Sequence, residues 1–271
     1  MGITRNIAGA STYCYTGGKT FDPEKPTLVF LHGVLNDHSV WILQTRWLAH
    51  HGFNVLAVDL PGHGRSAGAP PASVEAGADF VRALLDDFEL VHASLIGHSF
   101  GSLIALETAA REPLRTQHLA MVATAAPMAV SDALLQASRE RPLEAIDMVN
   151  AFSHSMLAPP PSALGPGNWV PGSSRALMRR VLASNRETNL FHTGFVACDS
   201  YRNAVPRMEE VRCPVLFVLG ERDQMTPPKA ANALISAAGD RAKTVMLPGG
   251  HSLMTEVPDG VLFALRDFFS P

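Results

Sequence analysis

The sequence predicts an α/β fold, a mostly parallel central sheet with helices on both faces. Three observations carry this expectation. Short, largely apolar runs recur at 27–31, 53–58, 93–96, 118–123, 214–219 and 244–247, and strands covered on both faces read as such runs rather than as an apolar–polar alternation. Segments of helical character separate or follow them at 41–52, 73–88, 102–111, 228–238 and 260–269. That alternation implies right-handed crossovers between parallel strands. Finally, loops rich in glycine and polar residues follow the strands at 32–37, 59–66, 97–101, 220–226 and 248–251. Loops so placed gather outside the carboxyl ends of the strands, where sites in open α/β sheets form.

The chain has 271 residues, enough for one such domain with an insertion, and its 46% hydrophobic content is that of a globular protein. A net charge of −3 offers no basic face for nucleic acid or an anionic membrane surface. Cys14, Cys198 and Cys213 are too few and too scattered for a disulfide framework, so a reduced, cytoplasmic protein is expected. The first residues lack an apolar signal region, and Asn6 stands where a myristoylation motif needs Ser or Thr. No run is long and apolar enough to span a bilayer.

The first 26 residues hold short β-like pieces such as 11–15 and a turn at Gly17-Gly18. Gly18-Lys19-Thr20 ends like a phosphate-binding loop, but Tyr13 stands where its first glycine belongs. Residues 62–67 match a dinucleotide fingerprint yet run into glycine and proline instead of a helix. With no H-E-x-x-H motif and no Cys/His cluster, neither a cofactor nor a metal is expected.

The alternation breaks between residues 127 and 206. This stretch reads as helices interrupted by Pro159-Pro160-Pro161, Gly165-Pro166-Gly167 and Pro171-Gly172. The expectation is a helical cap at 127–206 inserted into a core formed by 1–126 and 207–271. Its Met128, Trp169 and Phe195, with Met156 and Phe191, either line an apolar substrate pocket or hold the insert together.

The motif that carries chemistry is Gly97-His98-Ser99-Phe100-Gly101, lying between an apolar strand and a helix. That context makes G-x-S-x-G a nucleophile elbow: a turn so sharp that its serine is strained and its flanking positions must be small. A second match, Gly64-Arg65-Ser66-Ala67-Gly68, lies beyond its strand and runs into prolines, so Ser99 is the stronger candidate. A serine hydroxyl needs a base and an acid to orient that base. His251 follows the last strand after a glycine pair and is the histidine placed at the same edge as Ser99. Asp223 follows the preceding strand, with Glu221 the weaker alternative. His98 is adjacent to the serine, and its ring is expected to serve packing or a pocket wall. Asp59 is expected to brace its own turn.

With His32-Gly33, Asp59-Leu60-Pro61-Gly62-His63-Gly64, Gly97–Gly101, Gly220-Glu221-Arg222-Asp223 and Gly250-His251, the chain resembles the α/β-hydrolase superfamily over its core, on both sides of the insert. The resemblance implies the α/β-hydrolase fold and an oxyanion site formed by the backbone N–H groups of Phe100 and Val34. It implies a Ser99–His251–Asp223 hydrolase acting on a small, apolar carboxylic ester or lactone as its partner molecule. Two alternatives stay open: a hydrolase of carbon–carbon bonds in diketones using the same triad, and a ligand receptor with slow or no turnover.

Overall fold

In the parallel part of the sheet, each strand has to satisfy two cores. The apolar run of β3 (Thr27–Leu31) sends Val29 and Leu31 to one face and Leu28 and Phe30 to the other. In β7 (Val215–Gly220), Val215, Phe217 and Leu219 face the first core, and Leu216 and Val218 the second. The period of two along a strand divides one unbroken run between two helical layers. The computed structural model describes residues 1–155 and 169–270.

The remaining strands are β1 (Gly2–Ile7), β2 (Ala10–Tyr15), β4 (Asn54–Val58), β5 (Ala93–His98), β6 (Thr116–Val122) and β8 (Ala242–Leu247). Eight strands form one sheet in the order β1-β2-β4-β3-β5-β6-β7-β8. From β4 to β8 every pairing is parallel. The edge is an antiparallel hairpin, β1 with β2, which joins the sheet through β2 and β4. Its two-residue loop, Ala8-Gly9, has both residues at positive φ (49° and 86°), the backbone that matches the twist of a tight hairpin.

On one face lie α2 (Val74–Asp87), α3 (Phe100–Arg111), α8 (Ala204–Glu210) and α9 (Asn232–Ala238). On the other lie α1 (Ile42–His50), α10 (Leu253–Glu256) and α11 (Pro258–Phe269). Between β6 and α8 run α4 (Asp132–Glu140), α5 (Pro142–Ser153), α6 (Val170–Ser184) and α7 (Leu190–Ser200). They pack around a third cluster that includes Ile146, Met178, Val181 and Phe191 and takes in Leu35 from the loop after β3. The limit expected at 206 falls inside α8. Ala197, Cys198, Tyr201 and Ala204, all before that residue, pack with the sheet-face core. Pro171 does not interrupt a helix but lies in the first turn of α6, where a missing N–H costs nothing. Met156 and the proline and glycine breaks at 159–161 and 165–167 lie outside the described residues. Cys14, Cys198 and Cys213 are free and buried. No helix among the described residues is long and apolar enough to cross a membrane.

A buried carboxylate ties the returning chain to α3. Glu107 accepts from the Tyr201 hydroxyl at 2.6 Å, from Arg207 Nε at 3.2 Å and from Arg111 Nε at 2.6 Å. Both arginines are about a third exposed, which softens the effect of removing the acid. Glu107→Ala removes the acceptor of the tyrosine hydroxyl and of both Nε groups, while Arg111 keeps Asp79 and Arg207 keeps Glu210. It should cost roughly 2–3 kcal/mol, below the range for fully buried pairs, as a lower urea midpoint at unchanged m-value. An unchanged midpoint would show that the network carries no net stability.

Candidate active site

β5 ends at His98 and α3 begins at Phe100, leaving Ser99 alone to turn the chain. Its backbone sits at φ 51°, ψ −119°, a region that costs a non-glycine residue about 1–3 kcal/mol and needs a surrounding structure to impose it. The surroundings do so by contact. A Cβ on Gly97 would come within 2.1 Å of Gly101 O, and one on Gly101 within 2.5 Å of Leu31 O. Ser99 N donates to Val122 O at 3.0 Å, and Ser102 donates to Ser99 O through its N (2.8 Å) and Oγ (2.5 Å).

Ser66, the second motif serine, is occupied elsewhere. Its Oγ donates to Asp59 O at 2.6 Å and accepts from Tyr13 N at 2.9 Å, fastening its loop to the edge hairpin. Asp59 accepts from His38 N and Nδ1 (2.8 and 2.7 Å) and from Arg65 N (2.9 Å). With Asp37 the three side chains form a tight buried cluster. Their oxygens are taken by protein donors, because Asp37 accepts from Ser39 and Arg180. The cluster is therefore a brace between loops.

The loops after β7 and β8 bring Asp223 and His251 together. Gly220 approaches Gly250 so closely that a Cβ would lie 2.2 Å from Gly250 O. Arg222 N donates to Gly249 O at 3.0 Å. His251 Nδ1 donates to Asp223 Oδ2 at 2.9 Å. Asp223 Oδ1 accepts from the N–H groups of Met225 and Thr226, each at 2.8 Å, and Oδ2 accepts from Thr226 Oγ1 at 2.7 Å. Burial alone would raise the Asp223 pKa. The neighbouring His251 charge and these hydrogen bonds outweigh burial and hold the carboxyl below its usual range. Glu221 lies at the surface. The His251 backbone is pinned in turn: its N–H donates to Ser153 O at 2.7 Å, at the end of α5, and Gly250 N donates to Glu256 Oε2 at 2.8 Å. Thr226, Glu256 and Ser153 were not foreseen. Only Thr226 leaves a local trace, as a hydroxyl residue three positions after an aspartate in a turn.

Ser99 and His251 border two cavities, one of about 560 Å³ and one of about 30 Å³. Val34 and Phe195 border both as well, Phe191 the larger and Met128 the smaller. Trp169 is not brought there. It is 67% exposed and stands just before α6, over Gly172 of its first turn, whereas Val170 is buried at the start of that helix. Phe100 is the first residue of α3, where a helix leaves an amide without an internal acceptor. Val34 sits in a turn closed by Asn36 N donating to Gly33 O at 3.3 Å, and its own N–H has no acceptor among the described residues. The next residue, Leu35, is held at φ 53° with its side chain buried in the third cluster.

Three neutral histidines support these loops. Leu60 N donates to His32 Nε2 at 3.1 Å, so the ring proton is on Nδ1, which donates to Gly33 O at 2.8 Å. His98 Nε2 donates to His251 O at 3.0 Å, while its Nδ1 has no partner. His63 Nδ1 donates to Pro61 O at 3.0 Å. Burial, helped by a neighbouring histidine in each case, pushes the pKa of His63 and of His98 down to about 3. Burial also lowers that of His32.

A family model described as the alpha/beta hydrolase family matches residues 28–264. A pimeloyl-[acyl-carrier protein] methyl ester esterase of Neisseria meningitidis is 28% identical over 216 residues, 79% of this chain and 82% of that protein. One from Chromobacterium violaceum is 30% identical over 225 residues, 79% of this chain and 83% of that protein. Among solved structures, an enol-lactonase from Burkholderia xenovorans superposes with a TM-score of 0.84 at 21% identity, over 99% of this chain and 100% of its own.

The buried histidines set a pH dependence. Their folded pKa values lie below the unfolded value of about 6.5, so below that pH the unfolded chain binds protons that the folded chain refuses. Stability is fully present above about pH 6.5 and should fall as pH drops, by up to about 1.4 kcal/mol per pH unit for each imidazole. Urea unfolding between pH 7.5 and 5 should show this slope, and His63→Gln should flatten it. A flat profile over that window would mean that these rings charge freely in the folded state.

Proposed function

The chain belongs to the alpha/beta hydrolase family, and we propose that it is a serine hydrolase cleaving a small carboxylic ester or lactone. The observation that carries this reading is the 2.9 Å contact of His251 with a buried, ionised Asp223, beside a cavity that Ser99 also borders on its strained turn. In the first step Ser99 Oγ attacks the acyl carbon and His251 takes its proton. Asp223 fixes the ring tautomer, with the proton on Nδ1, and stabilises the imidazolium. The N–H groups of Phe100 and Val34 donate to the developing oxyanion, a contribution of about 10²–10³ in rate for one such donor in comparable sites. The imidazolium then protonates the leaving oxygen. Water, activated by the same histidine, attacks the acyl-enzyme and releases the acid.

In this reading residues 127 to about 196 act as the cap, a limit supported by the packing of Ala197, Cys198, Tyr201 and Ala204 with the sheet-face core. Phe195 and Met128 serve as walls of the substrate site. An ester or lactone is the class taken by the relatives, which are named as methyl ester esterases, and by the superposed enol-lactonase. The diketone hydrolase and the receptor are not favoured.

Sustained turnover tests the reading. With a short-chain aryl ester, the wild type should release many equivalents of aryl alcohol and Ser99→Ala none above background. Asp223→Asn should lower turnover by about 10⁴ through a misoriented histidine, and Glu221→Gln far less. A single equivalent released across an ester panel would point to a receptor, and the reverse ranking of the two acids would move the acid to Glu221.

A further inference from the structure

Resting on that hydrolase reading, we propose that the large cavity selects substrates bearing an anionic group, a carboxylate, remote from the scissile bond, and that Arg180 is the residue that recognises it. α6 lines this cavity with Ser173, Ser174, Ala176, Leu177, Met178 and Arg180, and Ser173, Ala176, Leu177 and Arg180 lie three to four apart on one side of the helix. Arg180 is the only Lys or Arg among the lining residues, and no Asp or Glu lines the cavity among the described residues. Among the described residues, an anion entering the cavity therefore meets this guanidinium, whose own partner Asp37 is buried and does not line the wall.

The guanidinium is held in place without being used up. Arg180 Nη2 donates to Asp37 Oδ2 at 2.8 Å and to Ser39 Oγ at 3.5 Å. Asp37 is buried, and its other oxygen accepts from Ser39 N (2.9 Å) and Oγ (2.5 Å). Among the described residues, Arg180 Nε and Nη1 donate to nothing, and 64% of the side chain is exposed. A planar guanidinium presents five donors and can pair with a second carboxylate along another edge. Asn36 and Ser39 border the same cavity and add polar groups beside it.

The position gives the substrate a direction. Val34, Phe195 and Met225 border both cavities together with Ser99 and His251, whereas Arg180, Asn36 and Ser39 border only the large one. The reacting carbonyl thus lies at the apolar junction, and the anionic end lies along the α6 wall. Because Asp37 already balances the charge of Arg180, recognition comes from directed hydrogen bonds rather than a long-range field.

The competing role for Arg180 is that of a latch tying α6 to the loop after β3. A latch affects every ligand alike, so a ratio separates the two. The whole chain carrying Ser99→Ala, which holds an ester uncleaved, is titrated calorimetrically with methyl half-esters of straight-chain dicarboxylic acids and with the matching neutral dimethyl esters. At the best chain length the half-ester should bind roughly ten- to a hundredfold more tightly than the diester. Adding Arg180→Gln should bring the ratio to about one, and Arg180→Lys should leave an intermediate ratio, since an ammonium lacks the planar fork. Equal binding of the two series, no binding of the half-esters, a preference that survives Arg180→Gln, or an equal loss of both ligands in that variant would overturn the proposal. Turnover of the neutral diester by the wild type tests the hydrolase reading separately.

Discussion

The contact between the turn at Ser99 and the end of β3 is the constraint on which the rest of the site depends. β3 and β5 are parallel neighbours in a register that sets Leu31 beside Gly97. Only glycine at 97 and 101 lets α3 start so close to that strand. The same approach places the loop after β3 against the serine, where a Cβ on Gly33 would lie 3.3 Å from Ser99 Cβ. The strain at Ser99 and at Leu35 is local, whereas the burial that offsets it spans two cores and the third cluster.

A second coupling joins the helices after β6 to the loop that carries His251. Ser153 O, at the end of α5, accepts from His251 N at 2.7 Å and Ser252 N at 3.1 Å, and Glu256 accepts from Gly250 N at 2.8 Å and Ser155 N at 2.6 Å. The helices after β6 are therefore fastened to the loop that carries His251. On the opposite wall, Arg180 and Leu35 fasten them to the loop after β3. In the proposed mechanism both halves of the machinery, base and oxyanion donors, lean on the insert.

Much of this was legible in the sequence because it depends on local rules. Buried strands announce themselves as apolar runs, and the turn at 97–101 announces itself through small residues between a strand and a helix. Asp223 and His251 could be picked out because each follows a strand at the same edge of the sheet. What escaped depends on contacts between distant segments. Nothing near Ser153 or Glu256 signals that they hold the His251 loop, and nothing near Arg180 signals its pairing with Asp37, 143 residues away. Trp169 looked like a pocket wall because it is aromatic and lies in the insert, but it stands in extended backbone just before α6 and is largely exposed. Pro171 looked like a break, yet proline is as well suited to the first turn of a helix as to its end.

The central claim is that backbone strain at Ser99, absent at Ser66, marks the nucleophile of the proposed mechanism where the G-x-S-x-G pattern alone does not. Ser66 carries the same pattern, but its hydroxyl is committed to Asp59 O and Tyr13 N. The most direct measurement is mass spectrometry of the protein after reaction with an active-site-directed fluorophosphonate. The account predicts a single adduct on Ser99, lost in His251→Ala. An adduct on Ser66, or none on any serine, would contradict it.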